Sequence, residues 1–152
     1  MRNDFQIRIL QVCLVVRDVE KAVRHFEDLI GVGPFSVYTV DSKEMPGVTY
    51  RGLPGDYCVK VAMTKVGGGV IELIENQRGK NIYTEFLEKH GEGIHHIAVQ
   101  VDDCAAALAQ LKAAGVRTVD DSPRPGARGS KVAFVHPSAT GGVLLELVEK
   151  AT

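Results

Sequence analysis

Two glutamates stand inside strongly apolar stretches of the sequence. Glu72 lies in the run Val-Ile-Glu-Leu-Ile, and Glu146 lies in the run Leu-Leu-Glu-Leu-Val. An ionised carboxylate in such a setting is costly unless it is paired or bound to a metal ion. Gln11 and His96 interrupt apolar runs in the same way. The neighbouring His95 points to the opposite side of an extended strand, so only one of the two histidines can share a site with these residues.

An internal repeat groups these four residues into two pairs. Two pairs of segments align without gaps: 11–18 with 96–103, and 69–75 with 143–149. Gln11 thereby lies over His96, and Glu72 lies over Glu146. If two pseudo-symmetric modules pack together, equivalent strand positions can converge. The repeat therefore predicts four donors, from four strands, around one point.

The residue types of this group are those of a metal site. One imidazole, two carboxylates and one amide oxygen suit a borderline to hard divalent ion such as cobalt, zinc, nickel or manganese. The sequence therefore predicts one divalent metal ion held by Gln11, Glu72, His96 and Glu146. Water or substrate would fill the position that a catalytic metal leaves open. A single such residue in a strand is more often a core residue or a surface charge, so the prediction depends on all four together.

The elements that must position these residues follow the order strand, helix, strands, and then the same order again. Apolar runs predict strands at 7–16, 35–40, 57–64, 69–75, 94–101, 116–119, 131–135 and 142–148. The spacing of apolar residues predicts helices at 19–30, 81–90 and 104–114. Asp18 and Asp103 are expected to cap the first and third helices. The polar, glycine-containing segments 41–56 and 122–129 are expected to form loops.

Length and composition favour one globular domain. A chain of 152 residues with 45% apolar content can bury one core, and we predict a single domain over 1–152. It would hold module one at about 6–78, a linker helix at 79–91 and module two at about 92–150. A net charge of -1 gives no reason to expect nucleic acid or a membrane as a partner. We see no signal peptide and no apolar run near the ~20 residues of a membrane span, so a cytoplasmic protein is expected.

The second module closely resembles the methylmalonyl-CoA epimerases, a family of the vicinal oxygen chelate (glyoxalase/bleomycin-resistance) superfamily. The matching segments are 93–103, 123–129, 134–137 and 141–147. The first module resembles the superfamily only in 14–31 and 71–73. The resemblance implies an α+β fold, in which two tandem βαβββ modules form a curved mixed sheet around a metal cleft. It also implies a homodimer.

The same resemblance implies a metal-dependent isomerase that removes and returns a proton next to a thioester carbonyl, with an acyl-CoA substrate. Glu146 and Glu72 would be its catalytic acid–base groups. The epimerases usually carry histidine in the place of Gln11, and the present quartet looks more like that of glyoxalase I (lactoylglutathione lyase), which acts on a glutathione adduct. That isomerase is the alternative, and a non-catalytic small-molecule-binding protein of the superfamily is a further one.

Several charged residues near these strands are expected to be solvated. The epimerases place a further base on a strand that corresponds to 57–63, where this chain has no carboxylate. Lys60 in that strand is expected to point outward as a surface charge. Glu75 and Glu149 are expected to be surface charges at strand ends. The loop cations Arg124, Arg128 and Lys131 are interpreted as a solvated face, although an anion-binding role stays open.

Overall fold

The computed structural model describes residues 8–151, which form two compact units. The central unit comprises Val12–His95, and the terminal unit comprises residues 8–11 together with 96–151. The strands are β1 (Arg8–Val15), β2 (Ser36–Asp41), β3 (Thr49–Tyr50), β4 (Leu53–Pro54), β5 (Cys58–Val66), β6 (Gly69–Arg78), β7 (Gly93–Gln100), β8 (Arg124–Pro125), β9 (Lys131–Val135) and β10 (Leu144–Glu149). The helices are α1 (Val19–Arg24), which continues as a π-helical turn (His25–Ile30), α2 (Ile82–His90) and α3 (Cys104–Ala113). No helix among these residues is long and apolar enough to cross a membrane.

The central unit is built on strands in the order β2, β5, β6 and β1. Strand β5 pairs antiparallel with both β2 and β6. Helix α1 packs on this sheet because its first residue, Val19, is fully buried against Ala62 and Leu73. A second cluster of buried residues is formed by Cys13, Val59, Val61 and Ile74. Helix α2 begins at the cap residue Asn81, whose side chain accepts hydrogen bonds from two backbone amides.

The terminal unit holds a mixed sheet with one helix on one face. Strand β7 runs parallel to β10, and β10 and β9 pair antiparallel, as do β9 and β8. Helix α3 packs against the face that carries Val99, Ala133 and Leu147, and all three side chains are buried. One face of the sheet is therefore buried under α3, and the alternate residues of the same strands point from the opposite face. The predicted α+β class is confirmed, and both units follow the order strand, helix, strands.

The N-termini of α1 and α3 are held in the same way, which reflects the internal repeat. Asp18 and Asp103 cap the two helices, as predicted. In addition, the Val19 amide donates to Glu75 at 2.7 Å, and the Cys104 amide donates to Glu149 at 2.9 Å. The interpretation of Glu75 and Glu149 as surface charges is therefore wrong. Each carboxylate satisfies a free amide at a helix start, where negative charge is also favoured by the helix dipole.

The predicted strand 116–119 is wrong, because this segment makes only a single bridge, between Thr118 and Val135. The backbone amide of Phe134 donates a hydrogen bond to the Asp120 carboxylate, so the backbone pairing of this segment with β9 ends there. The second strand of the module is instead β8, which lies in the segment predicted to be a loop. Its turn requires glycine at position 126, because a Cβ there would lie 2.7 Å from a methyl group of Val132. The segment 41–56, also predicted to be a loop, contains the short hairpin of β3 and β4.

Candidate metal centre

The face of the terminal sheet that lies opposite α3 carries the polar residues that the repeat singled out. Glu146 on β10 lies beside Ala98 on β7 and directly opposite Phe134 on β9. His96 is two residues before Ala98, so its side chain leaves the same face. Sheet pleating thus places one imidazole and one carboxylate side by side, away from the apolar core under α3.

Three of the four predicted ligands come together on this face. The Nε2 atom of His96 lies 3.3 Å from a carboxylate oxygen of Glu146 and 3.4 Å from the side-chain amide of Gln11. The amide oxygen and nitrogen of a glutamine can exchange places by rotation about one bond, so Gln11 can present either atom to the centre. The His96 side chain is 4% exposed and that of Glu146 is 14% exposed. The carboxylate is therefore largely removed from water, yet still reachable from one side.

These separations fit a shared metal ion. Two ligand atoms about 2.1 Å from one ion stand about 3.0 Å apart at a right angle and about 3.4 Å apart in a tetrahedron. Both distances from His96 Nε2 lie at the tetrahedral value, within a few tenths of an ångström. An ion pair between His96 and Glu146 would account for one of the contacts, and a hydrogen bond from His96 to the Gln11 amide oxygen would account for the other. A divalent cation bound by all three side chains accounts for both contacts together.

Glu72, the fourth predicted ligand, lies on β6 in the central unit. It is 9% exposed and sits opposite Met63 on β5, so the expected burial of this carboxylate is confirmed. Its place among the metal ligands stays a prediction. The Cys13 sulfur lies within 4.8 Å of a Glu72 carboxylate oxygen. Cys13 follows Gln11 by two residues, so the two side chains leave the same side of β1.

Phe134 forms one wall of the centre, and the sequence analysis did not identify it. Its ring meets the His96 ring edge to face, with the ring centres 6.1 Å apart at an angle of 87°. Phe134 is 9% exposed, so it covers one side of the imidazole with apolar surface. A wall of this kind excludes water from His96 and lowers the local dielectric constant around the donor atoms. No sequence pattern distinguishes Phe134 from an ordinary core residue, since its position opposite Glu146 is visible only in the strand register.

Lys60 on β5 points outward, as predicted. Its Nζ atom lies 2.9 Å from a carboxylate oxygen of Glu20 on α1. The hydrogen bond that Lys60 donates to the Glu20 carboxylate raises the pKa of Lys60, which keeps the amine protonated. A protonated, paired amine cannot accept a proton, so Lys60 is not suited to act as a base.

Comparison with known proteins agrees with this architecture. The family model of the Glyoxalase/Bleomycin resistance protein/Dioxygenase superfamily matches residues 10–134. The chain belongs to this superfamily. The mitochondrial methylmalonyl-CoA epimerase of Mus musculus is 33% identical over 92% of the chain and 71% of its own length. An ethylmalonyl-CoA/methylmalonyl-CoA epimerase of Cereibacter sphaeroides is 32% identical over 92% of the chain and 96% of its own length.

A solved structure supports the same assignment to the superfamily. A variant of Streptomyces coelicolor methylmalonyl-CoA epimerase, in complex with 2-nitronate-propionyl-CoA, is similar with a TM-score of 0.71 and 29% identity. The similarity covers 95% of the present chain and 98% of that chain. The resemblance to the superfamily, and to its epimerases in particular, is thus confirmed.

Proposed function

We propose that the protein is a metal-dependent isomerase that removes and returns a proton next to a thioester carbonyl, with methylmalonyl-CoA as its substrate. The observation that carries the proposal is the meeting of Gln11, His96 and Glu146 on one sheet face. Relatives named methylmalonyl-CoA epimerase, which span nearly the whole chain, support the choice of substrate.

In this proposal Gln11 and His96 hold the ion, and Glu146 is both a ligand and the acid–base group. When bound, the divalent ion supplies a Lewis acid that stabilises negative charge developing on the substrate oxygens. The proton leaves C2 of the acyl group for a carboxylate oxygen of Glu146, and a proton returns to C2 from the other side of the planar carbon. The net change is an inversion at one carbon, so no other reactant is needed. Glu72 is the proposed second acid–base group.

The position of Glu146 suits this role. Its side chain is only 14% exposed, and Phe134 stands directly opposite it on β9. Partial burial beside an aromatic wall limits the number of water molecules that can reach the carboxylate and compete with a substrate for it. The remaining exposure leaves one approach for a substrate carbon.

A glyoxalase I type isomerase is the second candidate, and Gln11 favours it. Either amide or imidazole offers one donor to a divalent ion, so this residue alone does not decide between the two substrates. The thiol carrier differs between them: glutathione in one case and coenzyme A in the other. An acyl-CoA partner, a homodimer and a cytoplasmic location remain part of the proposal.

The test follows hydrogen exchange at the reacting carbon. The cobalt-loaded protein is incubated with racemic methylmalonyl-CoA in heavy water, and deuterium at C2 is followed by mass spectrometry. We expect rapid exchange that requires metal and is lost in Glu146→Gln, while Glu149→Gln, a change of the same type on the other face of β10, retains it. Metal binding without exchange would refute this substrate, and activity on the hemithioacetal of methylglyoxal and glutathione would then establish the second candidate.

A further inference from the structure

Arg124 lies on the same sheet face as the metal centre. It pairs with Val132 on β9, two residues before Phe134, so both positions share the face that carries Glu146. The guanidinium carbon of Arg124 lies 5.5 Å from the centre of the Phe134 ring, within the range of a cation–π contact. Phe134 therefore stands between His96 and Arg124 and contacts both.

Asp120 holds one edge of the guanidinium in place. The Nε atom of Arg124 lies 2.7 Å from one carboxylate oxygen of Asp120, and Nη2 lies 3.3 Å from the other. Asp120 is itself fixed, because its carboxylate accepts a hydrogen bond of 2.8 Å from the backbone amide of Phe134 and its side chain is only 11% exposed. The arginine is thus oriented by a carboxylate that the sheet positions. Because the side chain is already ordered, it loses little conformational entropy when a ligand binds.

The opposite edge of the guanidinium is open. Among residues 8–151, Nη1 of Arg124 makes no hydrogen bond, and the side chain is 43% exposed. A guanidinium presents five N–H donors in a planar fork that matches carboxylate and phosphate oxygens. The contact with the Phe134 ring fixes the Arg124 side chain in addition to its ion pair with Asp120.

We infer that Arg124 is a specificity-determining residue that binds an anionic group of the substrate, a carboxylate or a phosphate, beside the metal centre. The inference rests on the proposed acyl-CoA substrate, which carries both kinds of group. Asp120 and Phe134 act as positioning residues, since they fix the plane in which the free edge of Arg124 meets the ligand. The inference takes up the anion-binding role of Arg124 that the sequence analysis left open beside a solvated face.

The experiment measures binding rather than turnover, by calorimetry on the cobalt-loaded protein. Two ligands separate the two anionic groups: methylmalonyl-pantetheine has the free carboxylate and no phosphate, and propionyl-CoA has the phosphates and no free carboxylate. The variant Arg124→Met keeps the apolar stem over Phe134 and removes the charge. Arg128→Met, in the same loop, is the matched control. Thermal unfolding of each variant shows whether it folds.

We expect Arg124→Met to lower the affinity for one of the two ligands by about 10- to 100-fold, as for loss of a charge-assisted hydrogen bond. The affinity for the other ligand should stay within about twofold of the native value. If only the affinity for methylmalonyl-pantetheine falls, Arg124 binds the carboxylate. If only the affinity for propionyl-CoA falls, Arg124 binds a phosphate. Arg124→Lys should restore part of the affected binding. Unchanged binding of both ligands, or equal loss of both, would refute the inference. If the native protein binds neither ligand, the proposed substrate is refuted. The role of Arg124, which rests on that substrate, is then refuted as well.

Discussion

Replacement of Glu146 by glutamine should remove most of the stabilisation that a divalent ion confers. The amide keeps the shape of the side chain and one oxygen donor, but it loses the negative charge that lies 3.3 Å from His96 Nε2. Residues that merely support metal ligands cost about 10- to 100-fold in affinity when mutated, so a direct ligand should cost at least about 100-fold. The same change three residues later, Glu149→Gln, lies on the other face of β10 and should leave metal affinity within about twofold.

The expected sizes follow from mass action. At a free ion concentration of 100 times the dissociation constant, the native protein gains about 2.7 kcal/mol of unfolding free energy. With affinity reduced about 100-fold, Glu146→Gln gains only about 0.4 kcal/mol at the same concentration. For a chain of this length, these gains correspond to about 5–11 °C and about 1–2 °C in melting temperature.

The assay compares melting temperatures with and without Co(II), by calorimetry or dye binding, for the native protein and both variants. Glu149→Gln serves as the internal reference. Its metal-free melting temperature should fall because the negative charge at the start of α3 and beside Lys131 is lost, while its gain from Co(II) stays that of the native protein. A full metal-induced gain in Glu146→Gln would refute the ligand role of this residue. The absence of any gain in the native protein would refute the metal centre itself and leave His96 and Glu146 as an ion pair.

Three further predictions concern the framework that carries the centre. Leu147→Ala should lower the unfolding free energy by about 2–5 kcal/mol in denaturant titration, because the side chain is 2% exposed under α3; a loss below about 1 kcal/mol would contradict this packing. Burial raises the pKa of the Cys104 thiol to about 11, so it should resist alkylation by iodoacetamide at pH 8.5 in the folded protein and react after unfolding. The hydrogen bonds from Arg51 and Tyr50 lower the pKa of Glu85 to about 2, below its ordinary 4.5, so this carboxylate stabilises the fold above pH 4.5 and loses that effect as the pH falls toward 2. Glu85→Gln should therefore flatten the melting temperature against pH over that interval, and an unchanged slope would argue against this contribution.

The sequence predicted the parts of the centre that polarity and repetition mark. Gln11 and His96 are polar residues in apolar strands and occupy equivalent positions of the repeat, and their side chains meet at 3.4 Å, while their role as metal ligands stays a prediction. Phe134 and Arg124 carried no such mark, because an apolar residue in a strand and a basic residue in a glycine-rich loop are ordinary. Only the strand register shows that both share a face with Glu146.

The same limit explains the errors in the fold. The segment 116–119 has the composition of a strand, but Asp120 ends its pairing by taking the amide of Phe134, a contact over 14 residues that local pattern does not contain. Glu75 and Glu149 have the composition of surface charges, and their partners are amides 56 and 45 residues away. Hydrophobic periodicity predicts which segments are regular, whereas such distant hydrogen bonds decide where they begin and end.

The two long-range caps link the start of each helix to the closing strand of its own module. An isolated helix can use Asp18 or Asp103, which are local, but the amides of Val19 and Cys104 have carboxylate acceptors only when β6 and β10 have reached their final register. These two amides therefore report on strand docking rather than on helix formation. Hydrogen exchange at Val19 and Cys104 would time the completion of each module separately, and so reveal whether the two copies of the repeat fold one after the other or together.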